Sequence, residues 1–423
     1  MALKSKEVND PVVQALLAQQ AYNFNKKYDG YAFDNDIYNG LYGALAKQGD
    51  ALTKSLEGHT KAARAVVTNE RTNTIYSGGS DGKVFQWKQG NDGLWKGSLL
   101  NEFAIVKGNE TTVQYQIYSL DVSPDGNLLA IGGLYPQDRN ANYAMLIDVN
   151  KPNAEPKKIT GFVSDIENIA FTPDGKGFFA RSNSGHSIMY SDLNTAKEVI
   201  ATKEKITSVD LSADGNKLAG ASEDGNLIIW DVKKNFSPTS IKILSGTEND
   251  ILALSFNPAG NEVVVGDQNG IVRIINLSLG SARRVLTGHT SMIEQIKFSH
   301  SGDFMATASK DNTVRLWNMK TLREQPQVLS NSDWVWSMAF SPDDDQLLAG
   351  IHSIKESIAR NAKGENRPTK DHAIRAYPTK LTTMASLLCG YSKRNMTKDE
   401  WDLFVADDLD REKTCSDYPL ENK

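Results

Sequence analysis

Residues 286–318 read LTGHTSMIEQIKFSHSGDFMATASKDNTVRLWN. Residues 293–298 alternate apolar and polar side chains, 304–308 are small and apolar, and 313–317 are rich in β-formers, so the stretch reads as successive strands. Between them, residues 299–302 and the pair Asp311-Asn312 suit tight turns and positive φ. A lone sheet of this kind cannot bury both of its faces. The stretch therefore has to be one unit of a repeat whose members cover one another.

Working outward, the turn at 299–302 has counterparts beginning at Ser123, Thr172, Ser212, Asn257 and Ser341, with a less regular one at Thr68. From Ser123 on, the starts lie 49, 40, 45, 42 and 42 residues apart. Seven units with a period in the forties match the period of four-stranded propeller blades. The expected fold is all-β: a seven-bladed β-propeller over residues 51–379, with short α-helical extensions at 1–50 and 380–423. The chain has 423 residues, 39% hydrophobic and 23% charged, enough for a sizeable core. Its net charge of −5 argues against nucleic acid as the main partner. No apolar run is long enough to insert this chain in a membrane. Two cysteines exclude a disulfide-dense scaffold and a cysteine-only zinc site, and no motif calls for a metal or cofactor.

These repeats resemble the WD-repeat β-propeller family. The unit quoted above carries Gly288-His289, Asp311 and Trp317-Asn318; the first carries Gly58-His59, Asp81-Gly82 and Trp87; the fourth keeps Asp224-Gly225 and Trp230-Asp231. Elsewhere Ile147, Tyr190, Ile275 and Tyr377 replace the tryptophan. The resemblance implies that His289, Thr307, Asp311 and Trp317, and likewise His59, Ser77, Asp81 and Trp87, form buried hydrogen-bond networks. The same residue types could be taken for a catalytic triad. Repetition in two blades suits architecture, and no Gly-x-Ser-x-Gly elbow or phosphate loop supports catalysis. The family also closes its ring with a strand from the front of the chain, which points to residues 53–56 as the outer strand of blade seven. Removing them should destabilise the ring by opening a sheet edge.

The extensions change period. Asp10-Pro11 reads as a helix start, Val13, Leu16, Leu17, Ala21 and Phe24 mark one helical face, and Ile37, Tyr38, Leu41, Tyr42 and Leu45 mark a second helix. Leu16-Leu-Ala-Gln-Gln-Ala-Tyr22 resembles the segment that joins signalling modules to propellers in large bacterial proteins, including STAND-type NTPases. This implies the sensor end of a longer polypeptide or a paralogue without the effector; the alternative is a helical cap packed on the ring's side. In the tail, Thr397-Lys-Asp-Glu400 is a capping box with Met396 and Trp401 placed as a hydrophobic staple. The tail resembles one that follows many bacterial propellers of this kind. Its Cys389 and Cys415 either pair, closing a loop worth about 3 kcal/mol, or stay reduced. A bond would favour a periplasmic protein and free thiols a cytoplasmic one.

For binding, blade two inserts residues 134–143, with Tyr135, Arg139 and Tyr143, and blade seven inserts 353–371, with Lys355, Arg360, Lys363, Arg367 and Lys370. Both insertions should overhang the face shared by the connections entering the inner strands. Asp333 and Trp334 precede the inner strand of blade seven at the channel mouth, and Trp336 alternates onto the side of Trp334, lining that mouth or packing between blades. Arg64, Tyr115, Asp165, Asp250 and Met292 stand at comparable places. An aromatic among charges is the composition of a protein-binding hot spot, so the expected function is a non-enzymatic protein- or peptide-binding scaffold or sensor module of a bacterial signalling or envelope-associated system. A structural subunit of an envelope complex, or an enzyme with its site in the channel, are the alternatives.

Overall fold

The computed structural model describes residues 1–420 apart from 32–33, 48–55, 91–93, 108–109, 135–141, 152–153, 244–249, 323–324, 332, 352–355, 361–365 and 371–373. The strands Ala104–Lys107, Glu110–Gln114, Glu356–Arg360 and Asn366–Lys370 are described by their backbones. Each blade begins with an inner strand: Ala63–Asn69, Gln116–Val122, Ile166–Phe171, Ile206–Leu211, Ile251–Phe256, Ile293–Phe298 and Val335–Phe340. Six blades are four-stranded antiparallel meanders, and the seventh has three strands among the described residues. Its outermost described strand, Ile374–Pro378, takes a bridge from Leu56, whose N–H donates to the Ile374 carbonyl at 3.0 Å. That bond ties the front of the chain to the last blade; residues 53–55 of the expected closing strand lie outside the described residues.

The recurring turn has a chemical reason. Its first side chain stays inside the hairpin and accepts from the backbone N–H five residues on, as Ser123 does from Leu128 at 2.9 Å, Ser212 from Lys217 at 2.9 Å and Ser341 from Gln346 at 2.9 Å. The fourth position must turn left-handed, and Gly126, Gly175, Gly215, Gly260 and Gly302 do so with φ between 65° and 77°. Blade seven puts Asp344 there instead, at φ 56°. Its carboxylate accepts from the His300 and Ser301 N–H groups, both at 2.9 Å, and meets His300 Nδ1 at 2.8 Å. Those contacts tie blade seven to blade six and offset the left-handed backbone.

Around the channel, side chains of one blade satisfy the inner strand of the next. Ser119 accepts from the Ile169 N–H at 2.9 Å, Asp121 from Phe171 at 2.6 Å, Asp210 from Phe256 at 2.8 Å, and Gln295 from Met338. Ser337 donates to the Ala63 carbonyl at 3.2 Å, carrying the pattern across the closure. Inner-strand groups that would otherwise lack ladder partners are thus paired.

The two extensions pack as one body. Helices α1 (Ala2–Ser5), α2 (Pro11–Lys27), α3 (Asn35–Ala46), α4 (Leu381–Ser392) and α5 (Lys398–Phe404) are capped where polar residues permit. Asp10 accepts from the Val12 and Val13 N–H groups, Asp34 from those of Asp36 and Ile37, and Thr397 and Glu400 form the capping box. Val13, Leu16 and Leu17 of α2 share a buried cluster with Met396, Trp401 and Cys415. Leu41, Leu45, Met384 and Leu388 join Leu316, Met338 and Tyr377 of blades six and seven. Cys389 and Cys415 are bonded, and Asn23 Nδ2 donates to the Thr414 carbonyl at 2.8 Å. No helix among the described residues is long and apolar enough to cross a membrane.

Candidate functional site at the channel mouth

The two polar quartets come first because they decide the question of catalysis. In blade one, His59 Nδ1 lies 3.1 Å from Asp81, its Nε2 lies 2.8 Å from Ser77 Oγ, and Trp87 Nε1 donates to the same oxygen at 2.9 Å. In blade six the equivalent distances for His289, Asp311, Thr307 and Trp317 are 2.8, 2.8 and 3.0 Å. Ser77 and Asp81 are wholly buried, and each hydroxyl is already engaged by a tryptophan N–H. A substrate has no route to either oxygen, so the arrangement acts as a cross-brace between strands and loops. Burial pushes the Asp81 carboxyl up, but His59 and the Thr60 and Lys83 N–H groups outweigh it and hold Asp81 below its ordinary range. Asp311 is depressed by the same kind of partners acting against burial.

The mouth of the channel is built differently. In every blade the pairing of the inner strand with the second strand skips one residue near its entry, a β-bulge. The skipped residues are Arg64, Tyr118, Glu167, Thr207, Leu252, Glu294 and Trp336, and all seven line a cavity of 670 Å³ in the channel. A bulge re-aims its side chain, and here one residue per blade is turned into a collar. The collar is chemically uneven. Glu167 meets Arg181 at 2.5 Å and Glu294 meets Lys310 at 3.0 Å. The Arg64 guanidinium carbon sits 4.5 Å from the ring centres of both Tyr118 and Trp336, which come from the two neighbouring blades.

Deeper in the same cavity lie Asp121, Asp210 and Lys297. Burial pushes Asp121 up to about 6 and raises Asp210 as well, while backbone donors and the Lys297 charge pull both back. Carboxylates free in the channel would favour an enzyme. Each one described has a structural partner: Asp121 and Asp210 hold the next blade, and Glu167 and Glu294 hold cations. Among the described residues no cluster of three or more His, Cys, Asp or Glu is placed to hold a metal.

The structure separates the residues that sequence pattern had grouped. Trp336 lines the cavity, whereas half-buried Trp334 packs under Lys310, whose Nζ is 4.9 Å from its ring centre. Alternation put the two tryptophans on one side; the bulge at Trp336 breaks that alternation. Asp333 is half-buried and its carboxylate accepts from the Trp334 N–H at 2.8 Å. Tyr115, expected at the mouth, is fully buried and stacks on half-buried Tyr143 with centroids 6.4 Å apart, so Tyr143 packs into the blade. Tyr135 and Arg139 lie outside the described residues. Arg360 and Arg367 fall on a paired hairpin, Glu356–Arg360 with Asn366–Lys370, inserted between the second and third strands of blade seven. A second hairpin, Ala104–Lys107 with Glu110–Gln114, was not expected and sits in the connection from blade one to blade two. In an antiparallel meander both connections emerge on the face where inner strands begin, so both hairpins flank the sector of Trp336, Arg64 and Tyr118.

A closed ring of seven antiparallel blades, two of them braced by His–Ser/Thr–Asp–Trp quartets, defines a seven-bladed β-propeller. Residues 51–88, 196–231, 238–276, 280–318 and 323–354 match the WD domain, G-beta repeat family. The solved WD40 β-propeller domain of Doa1 superposes with a TM-score of 0.60 at 16% identity, over 78% of this chain and 96% of that one. The matched repeats and this neighbour support the WD-repeat propeller family. The chain is 27% identical to Transcription factor unc-37 of Caenorhabditis elegans over 83% of its own length and 56% of that protein's. It is 24% identical to Periodic tryptophan protein 2 of Arabidopsis thaliana, over 45% of this chain and 21% of the relative. For Autophagy-related protein 16 of the same plant the figures are 23%, 46% and 39%. The chain thus spans less than two thirds of each of these relatives. They come from eukaryotes, and none carries the bacterial association implied by the flanking segments.

Proposed function

We propose that this protein is a non-enzymatic scaffold that binds a protein or peptide across the channel mouth. The observation that carries the reading is the collar: seven bulged residues, one from each blade, directed into a single cavity and bordered by two inserted hairpins. Rigid strands presenting aromatic and charged groups, with longer connections at the rim, are the composition of a recognition surface. WD propellers are consistent with such a scaffold, and the polar, fully braced carboxylates of the channel favour recognition over chemistry. The envelope-associated placement is supported by one separate observation, the Cys389–Cys415 bond, since disulfides persist in oxidising compartments. A photo-crosslinking amino acid at position 334, compared with one at exposed Leu279 on an outer turn of blade five, tests the reading in cells. Adducts formed from 334 and absent from 279 are expected. Adducts from 279 alone, or none from 334, would overturn it.

A further inference from the structure

Building on the mouth as the binding face, we propose that Arg64 is the receptor for a carboxylate of the partner, an Asp or Glu side chain presented into the gap between Tyr118 and Trp336. The guanidinium is planar, and its carbon lies 4.5 Å from the centres of two aromatic rings. Its N–H groups lie in the plane, so an acceptor has to approach edge-on. Arg64 Nε is buried with no hydrogen-bond partner, so the guanidinium still has an unused donor.

Charge bookkeeping around the collar points to the same place. Glu167 is taken by Arg181 and Glu294 by Lys310. Asp121 and Asp210 are committed to backbone N–H groups deeper in the channel. Among the described residues no carboxylate is paired with Arg64, so it is the cation of the collar left without an ion-pair partner. An incoming cation would have to expel Arg64 from the aromatic gap and leave it beside a like charge; an incoming carboxylate finds the fork already held in place. Pre-organised donors lose little on binding, and the flanking rings exclude water from the bond.

The probe is a displayed library of random heptapeptides selected on the full-length protein and read back against Arg64→Gln, Arg64→Lys and Trp336→Ala, each first checked for an unchanged thermal midpoint. The expected result is a consensus with a fixed Asp or Glu, weakened about 30-fold or more by Arg64→Gln and less by Arg64→Lys, which keeps the charge without the fork. Replacing the acidic residue by Lys and Arg64 by Glu together should restore part of the affinity. A consensus lost with Trp336→Ala yet lacking an acidic position, or carrying a basic one, would overturn the carboxylate assignment while leaving the binding face intact. Peptides indifferent to all three substitutions, or no peptides at all, would overturn the face itself and the assignment with it.

Discussion

Replacing Thr307 by Val tests the cross-brace most cleanly. The side chains are nearly the same shape, and Thr307 is wholly buried, so the substitution opens no cavity and removes only the hydroxyl. Two groups lose a partner. The Trp317 indole N–H donated to that oxygen at 3.0 Å, and His289 Nε2 lay 2.8 Å from it. With Trp317 only 4% exposed and His289 7%, water cannot replace the bond without rearrangement. At about 1–3 kcal/mol for each of the two orphaned buried groups, the expected loss is about 2–6 kcal/mol. Equilibrium urea unfolding followed by tryptophan fluorescence should show a lower midpoint with an unchanged slope. In a Trp317→Phe background, where the donor is already gone, Thr307→Val should cost about 1 kcal/mol or more less, and that difference is the coupling between the two residues. A fall below about 0.5 kcal/mol, the scale of surface substitutions, would refute the claim that the quartet is structural.

Other expectations follow from the same geometry. Asp344 is held at about 2, because His300 and the Ser301 N–H outweigh the upward push of burial; His300 is raised by Asp344 and Glu70 against the downward pull of burial. A depressed carboxylate stabilises above its ordinary 3.8 and loses that contribution as pH falls towards 2. A raised histidine stabilises below 6.5 and loses its contribution as pH climbs through the folded value. The stability advantage of wild type over His300→Asn should therefore peak between about pH 4 and 6.5 and shrink on both sides; a flat difference from pH 3 to 8 in thermal unfolding would contradict it. Reducing Cys389–Cys415, which closes a separation of 26 residues, should cost the tail about 3 kcal/mol and speed hydrogen exchange in α4 and α5 while the blades keep their protection. Equal exchange with and without reductant would count against it. Trp334→Ala should leave the thermal midpoint unchanged and weaken the partner captured by crosslinking by at least about 1 kcal/mol, as read by calorimetry; an unaltered affinity would remove Trp334 from the binding surface.

The blades were legible because strand alternation and hairpin turns are local. The quoted unit predicts strands that the structure places at Ile293–Phe298, Phe304–Ser309 and Thr313–Asn318. The quartets were legible because they recur with resemblance to a known repeat. The collar was not. A bulge shifts register by one residue, so the side chain it re-aims looks like any other member of an alternating run, and Trp336 was paired with Trp334 for that reason. The signal was present in retrospect: each inner strand starts with a small or branched apolar residue, or with Gln116-Ile117 in blade two, and the skipped residue follows it directly. The union of the two extensions was equally hidden, since it rests on contacts such as Asn23 with Thr414, whose partners lie 391 residues apart. The hairpin from Ala104 to Gln114 escaped because it falls in a connection between blades, outside the repeat that organised the reading.

That union has a mechanical consequence. The first long helix and the tail are joined through Gln20 and Asn23 to Thr414, through Lys27 to Glu412, and through the cluster around Trp401. Stretched between its ends, as in an optical trap, the molecule would carry load first across the seam between α2 and the tail. The blades lie in series behind that seam and would feel no tension until it parted. The force trace should open with a small rip at the seam, followed by larger ones as the blades peel away. With the seam closed, α3 and α4 rest on the core of blades six and seven.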